Sequence, residues 1–334
     1  MIFSSLTFVV FFGLVVWAMV AIKNQDHKRT FLTVASFIFY GWWNWWFMFL
    51  ILGSALWADE FGRLLGKEAD PSRRKRLLAI AVAFDIGALA YFKYTNFFIQ
   101  SFADSFGFSA RILDITLPAG ISFFVFQTMS YVIDVYRGRI EVCHDRKKFL
   151  LFVAFFPQLV AGPIVRAVEF LPQLDKDIQI RRENMIWGFQ VFIFGLFQKI
   201  LVADNLSSFV DAIFKRPEVY DTPTLWLGLF GYTLQIFCDF SGYSLMAIGT
   251  AKALGFDLVE NFRTPYLSRS ITEFWRRWHM SLSFWLRDYL YIALGGNRKG
   301  KIRTDVNLVL TMFIGGLWHG AGWNFALWGL AHGI

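Results

Sequence analysis

The sequence predicts an all-α integral membrane protein whose helices cross a bilayer several times. Hydrophobic residues make up 56% of its 334 residues and aromatic residues 19%, whereas charged residues make up only 17%. The mean hydropathy is +0.45. A soluble domain of this length carries fewer apolar and more charged residues. The apolar residues also form stretches of helix length that basic stretches separate, which is typical of a polytopic membrane protein.

The apolar stretches predict the membrane helices in chain order. Residues 1–22 have no basic segment before them and no small-residue cleavage site after them, so they predict a retained helix rather than a signal peptide. The next two helices meet at Gly41-Trp-Trp-Asn-Trp-Trp46, whose tryptophans suit a membrane-water interface. The helices predicted after residue 22 cover residues 30–43, 45–65, 77–100, 117–136, 185–203 and 223–254.

Basic residues are concentrated in the stretches 23–29, 63–76 and 137–148, whereas the loop at 101–116 has little positive charge. Because positive charge marks cytoplasmic loops, every second loop is predicted to be cytoplasmic and the N-terminus to lie outside. Basic loops beside anionic lipid account for the net charge of +8. The sequence therefore predicts a lipid bilayer as partner, and no nucleic acid.

The apolar segment 149–170 is interrupted by Pro157 and by Gly162-Pro163. Non-helical backbone at membrane depth is tolerated only where protein or a water-filled cavity surrounds it. One interpretation is therefore a re-entrant or broken element that lines a cavity. A spanning helix with a proline kink is the alternative, and the sequence leaves both open.

Arginine and lysine residues are scattered among aromatic residues in the stretch 261–303, which predicts an amphipathic helix at the cytoplasmic interface. Helical spacing places Arg276, Ser283 and Arg287 on one face. His279 lies on the apolar face, where a lone histidine is more often a packing residue than a catalyst. The apolar face consists of Trp275, Trp278, His279, Leu282, Trp285, Leu286 and Tyr289.

A second histidine, His319, lies in the motif Gly315-Gly-Leu-Trp-His-Gly320. An ionisable group at membrane depth is costly and indicates a functional site, and imidazole suits proton transfer. The glycines would let a substrate approach the ring closely, or they would let helices pack tightly. Because a packing motif needs no histidine, a functional role for His319 is favoured.

The other polar residues predict no metal site. His332 follows His319 by thirteen positions, a separation of about 20 Å along a continuous helix, so one ion could not bind both. Cys143 and Cys238 form no CxxC pair. Nucleotide-binding glycine loops and a GxSxG motif are absent from the sequence. Asp239, near the middle of 223–254, is interpreted as the structural partner of an arginine from the next segment.

Motifs over nearly the whole chain resemble those of the membrane-bound O-acyltransferase family, and within it the branch that acetylates bacterial polysaccharides such as alginate. The matching segments are Phe3-Ser-Ser5, Tyr91-Phe-Lys-Tyr94, Gly120-Ile-Ser-Phe123, Tyr131-Val-Ile-Asp-Val-Tyr-Arg-Gly138, Phe156-Pro157, Ala161-Gly-Pro163, Asp239-Phe-Ser-Gly-Tyr243, Thr272-Glu-Phe-Trp-Arg-Arg-Trp-His279, Trp285-Leu-Arg-Asp-Tyr289, Leu294-Gly-Gly-Asn-Arg298 and Gly315-Gly-Leu-Trp-His-Gly320.

The resemblance implies that His319 is the essential catalytic histidine, set in a tunnel through the membrane, and that His279 is a second catalytic position near its cytoplasmic mouth. No permanent cofactor is implied. The donor substrate would be acetyl-CoA or another acetyl thioester, whose phosphates suit arginine. Asp239 and Asp288 are expected to give structural support. The residues expected to bind the donor are Arg276, Arg277, Trp278, Asn297 and Arg298.

The same resemblance implies an enzyme of the bacterial inner membrane that delivers acetyl groups to a polysaccharide, directly or through a periplasmic acetyl-acceptor protein. Residues 1–334 are expected to form a single family domain. Family members continue through several more helices, so the chain is expected to be a C-terminally truncated piece.

Two other functions are compatible with the sequence. A teichoic acid D-alanyl transfer protein would share both histidines but use an aminoacyl donor, and the Gly296-Asn-Arg298 region favours acetylation over it. A proton-coupled transporter could relay protons through buried histidines. The sequence has no inverted pair of broken helices, which argues against a transporter.

Overall fold

The computed structural model describes residues 1–160 and 162–334, and within them the chain is helical with no β-strand. Short π-helical stretches follow α4, α10 and α14. The helices in chain order are α1 (Leu6–Ala21), α2 (Gln25–Gly41), α3 (Trp46–Lys67), α4 (Pro71–Leu89), α5 (Thr95–Phe106), α6 (Ile121–Tyr136), α7 (Arg146–Ala154), α8 (Phe156–Leu159), α9 (Ala167–Leu174), α10 (Arg182–Phe197), α11 (Asp204–Lys215), α12 (Thr222–Ala253), α13 (Ile271–Trp275), α14 (Met280–Trp285), α15 (Lys301–His319) and α16 (Trp323–Gly333).

Local sequence signals determine where several of these helices begin. Asp70 accepts a hydrogen bond of 2.8 Å from the backbone N–H of Arg73, and Pro71 occupies the first turn, where its missing N–H leaves no helical bond unmade. Ser5, Asn24, Asp145 and Asp221 cap α1, α2, α7 and α12 in the same way.

Two helical runs are long and apolar enough to cross a membrane, Pro71–Phe106 with 36 residues and Arg182–Lys215 with 34. Each continues through a π-helical stretch, Ala90–Tyr94 in the first and Gln198–Ala203 in the second. Both therefore extend beyond the predicted helices at 77–100 and 185–203. Shorter apolar helices lie at Leu6–Ala21 and Ile121–Tyr136.

Helices α10 and α12 approach closely because glycines face each other. A Cβ atom built on Gly195 would lie 2.6 Å from the Gly242 carbonyl oxygen. Small residues of this kind let membrane helices pack backbone to backbone. Asp239 on α12 pairs at 2.6 Å with Lys199 of the π-helical stretch after α10. The prediction of an arginine from the next segment as its partner is therefore wrong.

The three basic stretches of the sequence meet at one end of the helices. Lys147 at the start of α7 lies 2.7 Å from Asp26 at the start of α2. This hydrogen bond holds the pKa of the Asp26 carboxyl below its usual range. Arg74 at the start of α4 donates a bond of 3.0 Å to the carbonyl of Tyr136 at the end of α6. The basic loops thus form one common surface.

The segment 149–170 is broken rather than continuous. Helix α7 ends at Ala154, α8 covers only four residues, and residues 160 and 162–166 are not helical. Phe152, Phe156 and Val165 are fully buried, so protein surrounds this irregular backbone. Pro157 occupies the first turn of α8 instead of kinking a longer helix. Ala161 of the Ala161-Gly-Pro163 motif lies outside the described residues.

The prediction of one continuous amphipathic helix through 275–289 is wrong. The chain forms the short helices α13 and α14 and then the π-helical stretch Leu286–Tyr291. The interruption lies at residues 276–279, where His279 adopts a left-handed backbone with φ of 41°. Long-range hydrogen bonds hold this turn: the Met280 N–H donates to the Asn261 carbonyl and the Arg263 N–H to the Arg277 carbonyl, each at 2.9 Å.

Candidate active site

A cavity of about 390 Å³ lies between α15, α16 and the segment 272–291. One face of α15 forms its long wall, with Leu308, Thr311, Gly315 and His319 at steps of three or four residues. Since a helix rises 1.5 Å per residue, this stripe is about 16 Å long. The cavity is therefore an elongated slot that runs along α15 and reaches His319 at the end of the helix.

His319 is the last residue of α15, and its side chain is exposed to this cavity. Aromatic rings hold the imidazole from two sides. The Trp318 ring centroid lies 5.0 Å and the Trp328 centroid 5.2 Å from that of His319, both nearly perpendicular. A reactant in the cavity can thus reach an imidazole that packing keeps in place.

The glycines around His319 serve two different purposes. Gly315 lines the cavity, and a Cβ atom there would lie 3.1 Å from the side chain of Leu286. Gly316 faces α16 instead, where a Cβ atom would lie 2.2 Å from the Phe325 carbonyl oxygen. Both interpretations of the motif therefore apply, because one glycine leaves room in the cavity and its neighbour allows the two helices to pack.

His279 lies beside this cavity but is fully buried, with 0% of its surface exposed. A positive φ is uncommon for a residue other than glycine. Here Asn261 and Ser281 hold the turn, since the Ser281 hydroxyl donates 2.9 Å to the Asn261 side-chain oxygen and accepts from the Ile164 N–H at 2.9 Å. The broken segment 149–170 thus supports the position of His279.

The structure brings the two predicted histidines together. Their ring centroids are 6.4 Å apart, although forty positions separate them in the sequence. Neither ring nitrogen of His279 has a hydrogen-bond partner among the described residues. A buried polar atom without a hydrogen-bond partner is costly and is rare in folded proteins. The buried imidazole of His279 therefore has unused hydrogen-bonding capacity beside His319.

The predicted donor-binding residues occupy three different environments. Arg276 lines the cavity together with His319. Arg277 pairs with Glu273 at 2.6 Å outside the cavity wall. Trp278 is buried in an aromatic cluster that includes Phe262 at 5.1 Å between centroids. The structure thus places Arg276 at the site and gives Arg277 and Trp278 contacts elsewhere.

Asn297 and Arg298 lie in the exposed turn before α15 and do not line the cavity. Asn307, which is fully buried on α15, donates 2.9 Å to the Gly296 carbonyl and so fixes this turn against the helix. The donor-binding role of Asn297 and Arg298 remains a prediction.

Helices α15 and α16 are antiparallel neighbours, joined by non-helical residues at Gly320 and the turn that follows. The continuous helix assumed for the separation of His319 and His332 is therefore wrong. The Trp328 ring lies between these histidines, 5.2 Å from His319 and 4.6 Å from His332. Among the described residues, no group of three or more histidine, cysteine or acidic side chains could hold a metal ion.

The family model of the membrane-bound O-acyltransferases matches residues 143–334, which include both histidines and the whole cavity wall. A probable alginate O-acetylase of Pseudomonas putida is 43% identical over 343 residues, covering 100% of this chain and 70% of that protein. The chain belongs to the membrane-bound O-acyltransferase family. The predicted resemblance is therefore confirmed.

Other relatives match this O-acyltransferase over a smaller share of its length. A peptidoglycan O-acetyltransferase of Helicobacter pylori is 37% identical over 93% of this chain and 64% of its own length. A teichoic acid D-alanyltransferase of Bacillus subtilis is 28% identical over 64% of this chain and 57% of its own length. The chain spans about two thirds of the length of its alginate O-acetylase relatives, with shares of 70% and 65%.

Several residues of the O-acyltransferase cavity were not predicted as site residues. Ser283 and Arg287 line it beside Arg276. The helical spacing that placed these three on one face was a usable signal, because they still share the cavity wall after the helix is broken. Trp328 had no such signal, since only the turn after α15 brings α16 back to His319.

An ion-pair network anchors Arg287 at the cavity wall. Its guanidinium lies 2.7 Å from one carboxylate oxygen of Asp288, and Arg166 lies 2.8 Å from the other. Arg137 donates 2.9 Å to the Asp288 carbonyl. Asp288 therefore links α6, the residue before α9 and the π-helical stretch, which agrees with the structural role predicted for it.

Proposed function

We propose that this O-acyltransferase transfers an acetyl group from a thioester donor to a hydroxyl group of a bacterial polysaccharide of the alginate type. The observation that carries this proposal is the exposed imidazole of His319 in an elongated cavity, 6.4 Å from the buried imidazole of His279. The similarity to alginate O-acetylases over the whole chain supports the acetyl group and the polysaccharide.

In this mechanism, neutral His319 accepts the proton of the acceptor hydroxyl while that oxygen attacks the thioester carbonyl carbon. A C–O bond forms, the C–S bond breaks, and the proton passes from His319 to the departing thiolate. General-base assistance of this kind contributes about 10²–10⁴ in rate. His279, whose ring nitrogens have no hydrogen-bond partner among the described residues, is assigned to donor binding or to assisting this proton movement.

The donor enters on the side of the cavity that carries Arg276 and Arg287. Guanidinium groups suit the phosphates of acetyl-CoA or of another phosphate-bearing acetyl thioester. Leu282, Leu286 and Met312 provide an apolar wall for the uncharged part of the donor. The slot along α15 then brings the thioester to His319.

The residues that line the cavity favour an acetyl donor over a D-alanyl donor. Among the described residues that line it, two are arginines and none is acidic. A D-alanyl group carries an ammonium, which would need a carboxylate partner inside the cavity because burying an unpaired charge is costly. An acetyl group is neutral and needs none.

The membrane setting proposed for the enzyme is the bacterial inner membrane, which it crosses several times. The common surface formed by the basic loops is assigned to the cytoplasmic side, in agreement with the positive-inside rule. The acceptor is then the polysaccharide itself or a periplasmic protein that carries the acetyl group onward.

The test uses membranes that contain the enzyme, radiolabelled acetyl-CoA and de-acetylated alginate. Base-labile label in the polysaccharide is the expected result. An excess of unlabelled D-alanyl thioester should not compete. Transfer of D-alanine instead of acetate would contradict the assignment of the donor, and a protein that moved neither group would contradict acyl transfer.

A further inference from the structure

The π-helical stretch Ala90–Tyr94 contacts the end of α15, where His319 lies. The last carbonyl groups of a helix have no partner within it and must be satisfied from outside. Here the Tyr94 hydroxyl donates 2.8 Å to the Leu317 carbonyl, and the Lys93 ammonium donates to the Trp318 carbonyl. Two neighbouring side chains of one helix thus cap the two residues before the proposed base.

Both donors lie in the π-helical stretch. A π turn inserts an extra residue into an α-helix, so that adjacent side chains project differently from those of a regular helix. Because the stretch lies inside the continuous helical run Pro71–Phe106, one helix carries both donors. The contact is long-range, with 225 positions between Lys93 and Trp318.

Lys93 also contacts the aromatic ring that lies against both histidines. Its ammonium lies 5.6 Å from the Trp318 ring centroid, within cation–π range. That ring is 5.0 Å from the His319 ring and 5.6 Å from the His279 ring. A shift of Lys93 would therefore be transmitted to the side chains that set the distance between the two imidazoles.

We propose that Lys93 and Tyr94 are positioning residues that hold the last turn of α15 so that His319 points into the cavity. Neither residue lines the cavity, so they act on the reaction through His319 and not on the substrates. This inference rests on the function proposed for His319. Misplacing a reacting group by about 1 Å can cost 10²-fold in rate.

The first experiment measures kcat and the KM for the acetyl donor in four variants. Lys93→Met removes the ammonium that donates the hydrogen bond while keeping a side chain of similar length, and Tyr94→Phe removes one hydroxyl. We expect kcat to fall about 10–100-fold for Lys93→Met and about fivefold for Tyr94→Phe, with KM unchanged. Lys93→Arg, which retains a cationic donor, should restore most of the rate.

Tyr91→Phe is the matched control, because it removes a hydroxyl from the same π-helical stretch at an exposed position. It should leave kcat and KM unchanged. All rates are compared at equal enzyme abundance in the membrane. A rise in KM alone, or equal losses in Lys93→Met and Tyr91→Phe, would overturn the proposal.

The second experiment repeats Lys93→Met in a His319→Ala background. If Lys93 acts through His319, the second substitution should cause no further loss of the residual rate, because residues that act as a unit are not additive. A full multiplicative loss would overturn the positioning role. Hydrogen exchange of the backbone of residues 313–322 should also accelerate in Lys93→Met. This exchange can be measured even if acetyl transfer itself is disproved. Unchanged exchange would contradict the proposal that Lys93 holds the last turn of α15.

Discussion

His319 and His279 lie 6.4 Å apart between ring centroids, but the regions that hold them differ. His319 ends a regular helix and is exposed to the cavity, whereas His279 occupies a left-handed turn and is fully buried. Only the first can contact both donor and acceptor directly. Two histidines of one site can therefore be held in place in different ways. Side chains that cap the end of α15 position His319, whereas a turn with a left-handed backbone positions His279.

Substitutions of His279 test this contrast most strongly, because they separate the effect of the left-handed backbone from the effect of the imidazole. Asparagine tolerates a left-handed backbone, whereas a β-branched residue does not. We expect His279→Asn to be present at normal abundance with acetyl transfer reduced about 10²-fold, because the substitution removes an imidazole that assists proton movement. His279→Val should be lost from the membrane. Quantitative immunoblotting and labelled transfer measure both effects.

Equal abundance of His279→Asn and His279→Val would mean that the turn does not constrain the residue. Normal transfer in His279→Asn would mean that the imidazole has no part in the reaction.

The neighbouring glycines Gly315 and Gly316 of α15 can be compared in the same way, because one leaves room in the cavity and the other allows helix packing. Gly316→Ala would press a Cβ atom against the Phe325 carbonyl oxygen, and overpacking of this kind costs about 1–3 kcal/mol in the free energy of unfolding. Gly315→Ala instead narrows the cavity beside Leu286. We expect a lower thermal midpoint for Gly316→Ala. For Gly315→Ala we expect an unchanged midpoint with slower transfer.

Thermal unfolding in detergent and transfer rates in membranes separate the two outcomes. The reverse pattern, with Gly315→Ala unstable and Gly316→Ala active and stable, would contradict the division between cavity and packing glycines.

The smallest expected effects concern the adjacent arginines before His279. Arg276 lines the cavity, whereas Arg277 pairs with Glu273 outside it. We expect Arg276→Gln to raise the KM for acetyl-CoA about tenfold, because a charged hydrogen bond is worth about 1.5–3 kcal/mol. Arg277→Gln should change KM less than twofold, since Arg277 does not line the cavity and its half-buried pair with Glu273 lies outside the donor site. Equal changes in KM would argue against Arg276 as the donor contact.

The sequence predicted the helical architecture because its signals were local. Apolar stretches, the tryptophan-rich turn and capping residues such as Asp70 act within a few positions of the helices they define. The alternation of basic stretches and apolar helices along the chain also predicted that the basic loops lie on one side. The motif around His319 identified a cavity residue because its glycines and histidine adjoin in the chain.

The errors concern contacts between distant parts of the chain. Helical periodicity could not show that Asn261 and Ser281 would hold His279 in a left-handed turn, because those bonds depend on the fold. The predicted arginine partner of Asp239 was wrong for the same reason, since Lys199 of the preceding helical run forms the ion pair instead. The caps from Lys93 and Tyr94 are separated from α15 by more than two hundred positions.

The most direct test of the central claim measures ester-bound acetate on the polysaccharide of cells that carry the wild-type enzyme, His319→Ala or His27→Ala. His27 is an exposed histidine in the first turn of α2 and serves as the matched control. At equal membrane abundance, the account predicts that acetate falls about 10²–10⁴-fold in His319→Ala and stays normal in His27→Ala. Normal acetate in His319→Ala would contradict the role of His319 as the base.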